Sequence, residues 1–470
     1  MATTTDNADE DAAGAVGAPV PHPAAGPAPI PGPGPVPGPA LEPAPVAPAV
    51  APAVAVWRDG NVLRWLAAYA ASLVGDAVWF LALGWAAAQV ARPAEVGLVM
   101  AVGAVPRAVL MLVGGVVADR YGPRRVVIGS DAARAVLVLA LAGTLVTAHP
   151  GLWILVVTAL LFGVVDALFM PAVGALPPRI APPGGLVRVQ GMRSLVDRVG
   201  HTLGPPLAGL AVGLGGVGAA FGVAGLLFAG SLALLLAVRV APLPAPLPAD
   251  PHPSPRSPHE APARPAEGPW AQLRSGLAHL RRHPVIGPLT VSGALSQLGC
   301  SAPLSVGMIL LADERGWGAS GVGWVTGGFG IGAAASALLL TLVPRVPRAG
   351  AVQNLTLVVG SAAIGAIALA PGLPAAVALA FLAGLVCGIC GGVAVALIQT
   401  NTDPAYLGRV SSVMALTAVG VAPLSYPLYG LGADAWGSTV MFLIGGGLSM
   451  TGALVGTAAP AVRRAELRFT

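Results

Sequence analysis

Asp76, Arg107, Asp131, Arg134 and Asp166 stand inside long apolar stretches of the 470-residue chain. If those stretches cross a bilayer, each ionised group costs about 2.5–3.5 kcal/mol near its centre, so each needs a partner or a task. Asp76 shares a helical stripe with Tyr69, Ser72 and Trp79. Lining a cavity, that stripe would let Asp76 carry a proton or anchor a cationic solute; the alternative is a structural polar contact. Asp166 is the second carboxylate of this kind. Arg107, directly after Pro106, could pair with an acid or bind an anionic group. Asp131 and Arg134 are three residues apart, on one helix face, the spacing of an intramembrane ion pair. Asp197 and Arg198 open a later apolar stretch. These other charges are read first as structural contacts.

Several chemistries are excluded. All 25 basic residues are Arg. Without Lys there is neither a Walker A site nor a Schiff base. Cys387 and Cys390 have redox-motif spacing, but in an apolar run they read as small residues at a helix contact. No catalytic residues, cofactor or metal site are expected, and the net charge of +5 is spread over short loops rather than gathered for nucleic acid.

The elements that must position these groups follow from composition. Only 10% of residues are charged and 55% are apolar, with mean hydropathy +0.79. A soluble domain carries roughly 25% charged residues, so an integral membrane protein in contact with the lipid bilayer is expected. Residues 1–56 form an Ala/Pro-rich tail, acidic at its start and without a signal-peptide pattern. Beyond it, charge-free runs predict twelve spans, near 63–90, 95–118, 126–147, 151–175, 189–213, 217–238, 285–312, 319–343, 351–370, 373–399, 409–432 and 437–459. Gly213-Leu-Gly-Gly216 and Pro371-Gly-Leu-Pro374 divide runs too long for one crossing.

Arginine placement supports that count. One side of the membrane gathers twenty arginines. The other holds two, Arg92 and Arg315, while Arg107, Arg134 and Arg198 lie in spans or near their ends. The arginine-rich side is expected to face the cytosol, with both termini there. A Pro-rich linker and an amphipathic helix, Trp270 to Arg282, separate the spans six and six. The expected organisation is a tail over 1–56, a bundle over 57–240, a linker over 241–284, a second bundle over 285–460 and a tail over 461–470. A shift of 221 residues superposes 183–209 on 404–430 with eight identities, Leu186/Leu407, Arg188/Arg409 and Gly209/Gly430 among them. A duplicated transporter predicts equivalent helices in two halves.

After the second span comes Gly115-Val-Val-Ala-Asp119-Arg120-Tyr-Gly122-Pro-Arg124-Arg125. It reads as a helix end, a glycine stop and a basic turn. Asp119 opposes the dipole of that helix end and needs a compensating partner. Here the chain resembles the major facilitator superfamily, whose loop pattern G-x-x-x-D-R-x-G-x-R-R is filled without a gap. The resemblance implies an all-α membrane fold of twelve helices in two pseudo-symmetric six-helix bundles. It also implies that the loop latches the halves together in one state, with Asp119 facing Gly408 and Arg409. Gly191, Gly200, Gly204, Pro205 and Gly209 resemble the family's antiporter motif in span five, with Ala208 in place of one glycine.

The resemblance is strongest to the macrolide-efflux and siderophore-exporter branch. It implies proton-coupled export of an amphiphilic drug or secondary metabolite across the plasma membrane; a monomer is expected. An importer of the same fold, or a non-transporting sensor or assembly partner, is the alternative. The span-four Arg of many drug exporters is missing; 151–175 carries Asp166 alone. Second-half polar groups are expected at Gln399 and Asn401.

Overall fold

A computed structural model describes residues 56–147, 151–182, 184–240, 269–343, 345–403 and 406–468. Residues 1–55 of the predicted 1–56 tail and 241–268 of the predicted 241–284 linker lie outside the described residues.

Hydrophobic runs become the helices α1 (Gly60–Ala88), α2 (Pro93–Tyr121), α3 (Pro123–Thr147), α4 (Leu152–Gly174) and α5 (Leu186–Leu236), and an amphipathic stretch becomes α6 (Pro269–Arg282). Then follow α7 (Ile286–Glu314), α8 (Gly318–Leu342), α9 (Ala349–Ile367), α10 (Leu373–Asn401), α11 (Leu407–Trp436) and α12 (Ser438–Ala458). Among the described residues, eleven helices are long and apolar enough to cross a membrane. One of them, α5, has 51 residues. At 1.5 Å per residue it would run roughly 76 Å, over twice a hydrocarbon core of about 30 Å. Gly216 breaks it, at φ 72° and ψ −175°, a conformation open to glycine and costly for other residues. Two arms, 186–215 and 217–236, are each long enough for one pass, so the described residues provide twelve.

Proline and glycine set other boundaries. Pro93 and Pro123 start α2 and α3, and Gly122, at φ 85°, ends α2. Pro303–Gly307 is a π-turn within α7. The helix α6 matches the predicted amphipathic element; Leu280 is buried and Leu277 is exposed. The α8–α9 turn pairs with the chain's last described residues as a short ladder, Arg345 opposite Arg468 and Val346 opposite Leu467.

The core of the first half is aromatic. Trp79 stacks on Phe162 at 4.5 Å between ring centres and meets Phe221 at 5.3 Å. Where the halves cross, glycines bring backbones into contact. A Cβ on Gly97 would stand 2.5 Å from the Tyr426 carbonyl oxygen, and one on Gly430 would stand 2.6 Å from the Pro93 carbonyl oxygen. The α5–α8 crossing repeats this. A Cβ on Gly209 would meet the Ala319 carbonyl oxygen, and one on Gly323 the Pro205 carbonyl oxygen, each at 2.7 Å. Gly209 and Gly430 are a pair that the 221-residue shift superposes, so the sequence repeat marks equivalent contacts. Both crossings lie toward the arginine-poor face. There Arg92 reaches Asp434 at 3.8 Å, and Gln89 donates to Asp313 at 3.1 Å.

Gly430→Leu should therefore push the halves apart at that face. With the three native cysteines replaced, spin labels at the exposed positions Val90 and Trp436 should show a longer distance distribution in this variant than in the parent. An unchanged distribution would contradict the packing account.

Candidate functional site

Five charged residues from four helices converge inside the first half. Arg134 (α3) is fully buried. Its Nη1 donates to Asp76 (α1) at 2.9 Å and lies 3.5 Å from Asp166 (α4). Its Nη2 donates to Asp131 and, at 2.8 Å, to Ser72. Phe169 and Phe228 flank the guanidinium, with ring centres 3.8 and 4.7 Å from Cζ, in cation–π contact. Asp131 also accepts from Ser72 at 3.2 Å and from Ser231, on the second arm of α5, at 2.5 Å. Arg107 (α2) brings Nε within 3.2 Å of Asp166. The cluster holds three carboxylates and two guanidiniums.

Exposure separates its members. The Asp131, Asp166 and Arg134 side chains are at most 1% exposed, Asp76 is 16% exposed and Arg107 is 36% exposed. Arg107 lines a cavity of about 430 Å³ between the halves. Three helices from each half wall it: α1, α2 and α5, with α7, α8 and α11. Its lining is mainly apolar, with Phe80, Met100, Leu304 and Ile309 prominent. Ser305, Thr326, Tyr426 and His201 add polar groups. Such a volume and lining suit a drug-sized amphiphile. The π-turn brings Leu304 and Ser305 to the wall, and Tyr426 donates to Ser305 at 3.3 Å. A second pocket, lined by Asp197, Arg198, His201 and Phe329, shares His201, Pro205, Leu304 and Thr326 with the first.

Two sequence expectations need correction. The Tyr69, Ser72, Asp76 and Trp79 stripe does not line the cavity as a unit. Ser72 and Trp79 are fully buried among neighbouring helices, and Tyr69 is 5% exposed, donating to Asp197 at 2.5 Å. The cavity side of α1 is instead Ala77, Phe80 and Leu81. A helix in the middle of a bundle has partners on several sides, so polar spacing alone does not mark the wet one. Gln399 is exposed, and Asn401 donates to its own helix at the Leu397 carbonyl; neither lines the cavity. Sequence reasoning also missed Ser231, Ser305, Thr326, Tyr426 and His201. No local signal sets the serines and threonine apart. His201 does lie one turn after Asp197, whose carbonyl it meets at 2.7 Å.

The motif residues are placed as follows. Gly200 and Gly204 pack on Leu73 and Ala77 of α1, Gly209 on α8, and Pro205 lines the cavity. Gly191 has open space around it. In the first turn of α3, Arg124 donates to the Leu236 carbonyl at 3.1 Å. Asp119 and Arg120 are exposed, and Gly115 faces open space. Asp119 makes no hydrogen bond or ion pair among the described residues. Arg409 donates to Ser275 of α6 at 2.8 Å instead. In this conformation the halves meet at the opposite face, so the expected latch is not made. Cys387 packs against Gly360, and Cys390 accepts from Gln353 at 3.7 Å, both at the α9–α10 contact. Among the described residues, no group of His, Cys, Asp or Glu is arranged to hold a metal.

Residues 64–424 match the sequence profile of the Major Facilitator Superfamily. The chain belongs to this superfamily. Among its relatives are the enterobactin exporters EntS of Shigella boydii and Escherichia coli. Each is 26% identical over 325 residues, covering 69% of this chain and 73% of the relative. Solved structures agree on the fold. The nucleoside transporter NupG superposes with TM-score 0.61 at 14% identity, covering 85% of this chain and 99% of that one. A bacterial homologue of the human lysosomal transporter Spinster superposes with TM-score 0.64 at 13% identity, covering 87% and 97%. This major facilitator protein is therefore a multi-pass membrane transporter.

Arg134→Leu should lower stability by about 3–5 kcal/mol, because it leaves buried carboxylates without their cation. Ser231→Ala should cost about 1.5–3 kcal/mol for one donor to a charged acceptor. Thermal unfolding of the purified protein checks both; an unchanged Tm in Arg134→Leu would contradict the reading of the cluster.

Proposed function

We propose that the protein exports an amphiphilic organic compound, a drug or a secondary metabolite, across the plasma membrane in exchange for protons entering the cell. The arginine-rich face and both chain ends then lie in the cytosol, following the positive-inside distribution. The cavity holds the solute between the halves, and the halves rock about it.

The observation that carries the reading is the cluster of three carboxylates and two guanidiniums set against the cavity wall by Arg107. It carries one formal negative charge. One proton balances it, and Asp76 and Asp166 are the carboxylates available for that proton, because Asp131 is held by Ser72, Ser231 and Arg134. The glycine crossings close the outer face in the present conformation, leaving the cavity to fill from the cytosol. Protonation of Asp76 or Asp166 from outside, solute release, closure through the Asp119 loop and deprotonation inside complete the cycle. The relatives named as exporters support the outward direction. The span-five glycines and Pro205 support it as well. The monomer contains the whole cavity.

Strains lacking or overproducing the protein should shift in opposite directions in a susceptibility panel of amphiphilic toxic compounds, the deletion being the more sensitive. For a compound so identified, uptake into inside-out vesicles should collapse on adding a protonophore and in Asp76→Asn/Asp166→Asn. Uptake that ignores both would overturn the proton linkage; an unchanged panel would overturn export.

A further inference from the structure

We infer that Asp166 is the carboxyl group that takes the proton and that Arg107 is its lid, held down on Asp166 when the cavity is filled. This rests on the proton-linked reading above and names the residues that link the two sites.

The three carboxylates differ in what holds them. Asp131 accepts from two hydroxyls and from Arg134. Asp76 accepts from Arg134 Nη1 at 2.9 Å. Asp166 is 1% exposed, and neither of its oxygens accepts a hydrogen bond in the structure. Its nearest cations, Arg107 Nε at 3.2 Å and Arg134 Nη1 at 3.5 Å, are in ion-pair range without hydrogen-bond alignment. Burying a carboxylate with no aligned donor is costly, and the two guanidiniums in ion-pair range are what offset that cost. The other groups around Asp166 are Asp76 from α1 and Asp131 from α3, both acidic; α4 itself carries no second charge.

The two cations differ in freedom. Arg134 is clamped by three acceptors and two aromatic rings, and is fully buried. Arg107 is 36% exposed, on the cavity wall, with the Phe80 ring 5.9 Å from its Cζ. An empty, hydrated cavity lets its guanidinium swing out to water and leaves Asp166 to take a proton. An amphiphile entering the cavity brings Arg107 back to Asp166, whose proton passes to the cavity water that the amphiphile displaces. Solute and proton exclude each other without sharing an atom, as exchange requires.

Dicyclohexylcarbodiimide, an apolar reagent for protonated carboxyl groups, provides the test on the full-length protein in lipid. Peptide mapping should place the label on Asp166 and leave Asp76 and Asp131 unmodified. Labelling should run several-fold faster in Arg107→Gln and return toward the parent rate in Arg107→Lys. It should run several-fold slower in Ala422→Trp, which fills the cavity from α11. These variants leave Asp166 in place, so the test survives if Asp166→Asn fails to fold. Infrared difference spectra between neutral and acidic pH should show a protonated-carboxyl band that Asp76→Asn keeps. Label on Asp76, no label, or a rate indifferent to Arg107 and Ala422 would overturn the inference. Label on Asp166 with vesicle flux indifferent to protons would instead overturn the proton-linked reading, and the two failures are distinct.

Discussion

A fully buried guanidinium governs the first half. Arg134 is fully buried, so its charge depends on Asp76, Asp131, Ser72 and two aromatic rings around it. Those partners come from α1, α3, α4 and the second arm of α5. The cluster therefore fixes how these passes stand to one another, while burying several ions at a cost of several kcal/mol each before pairing. Apolar packing alone could fill this space more cheaply. Retaining three acids and two arginines here makes sense if their charge balance is used.

The cluster and the crossings between the halves divide the labour. Within the first half, contacts are charged and aromatic, with Arg134 held by three acceptors and two rings. Between the halves, Gly97 against Gly430 and Gly209 against Gly323 bring backbones into contact with no side chains to interlock. Small residues let helices approach closely in lipid, and contacts of this kind can separate without breaking an ion pair in the core. Among the described residues, the polar side-chain ties that cross, Arg92 with Asp434 and Gln89 with Asp313, lie at the exposed rim where water can replace them. A rigid half and a loose seam are what rocking about a central cavity needs.

Much of the fold could be read from the residues. Span limits followed from charge-free runs, the break in α5 from the glycines before residue 217, and the Gly209/Gly430 equivalence from the repeat. The candidate site was legible only in part. Asp76, Arg107, Asp131, Arg134 and Asp166 stood out because each is expensive in lipid, but nothing in their spacing shows that α1, α2, α3 and α4 bring them together. Ser72 and Trp79 looked like cavity residues because they share spacing with Asp76; packing turned them inward. Ser231, Ser305 and Tyr426 carry no charge and gave no warning. The Asp119 loop was recognisable as a motif, yet which state it closes depends on the arrangement of the halves, and the present conformation leaves Asp119 exposed.

The central claim is that the charge cluster exchanges a proton as the halves rearrange. Solid-supported-membrane electrophysiology on proteoliposomes tests it without a known solute. A step to acidic pH should evoke a transient current in the parent protein and none in a folded Asp76→Asn/Asp166→Asn variant. Equal transients in the two proteins would contradict the account.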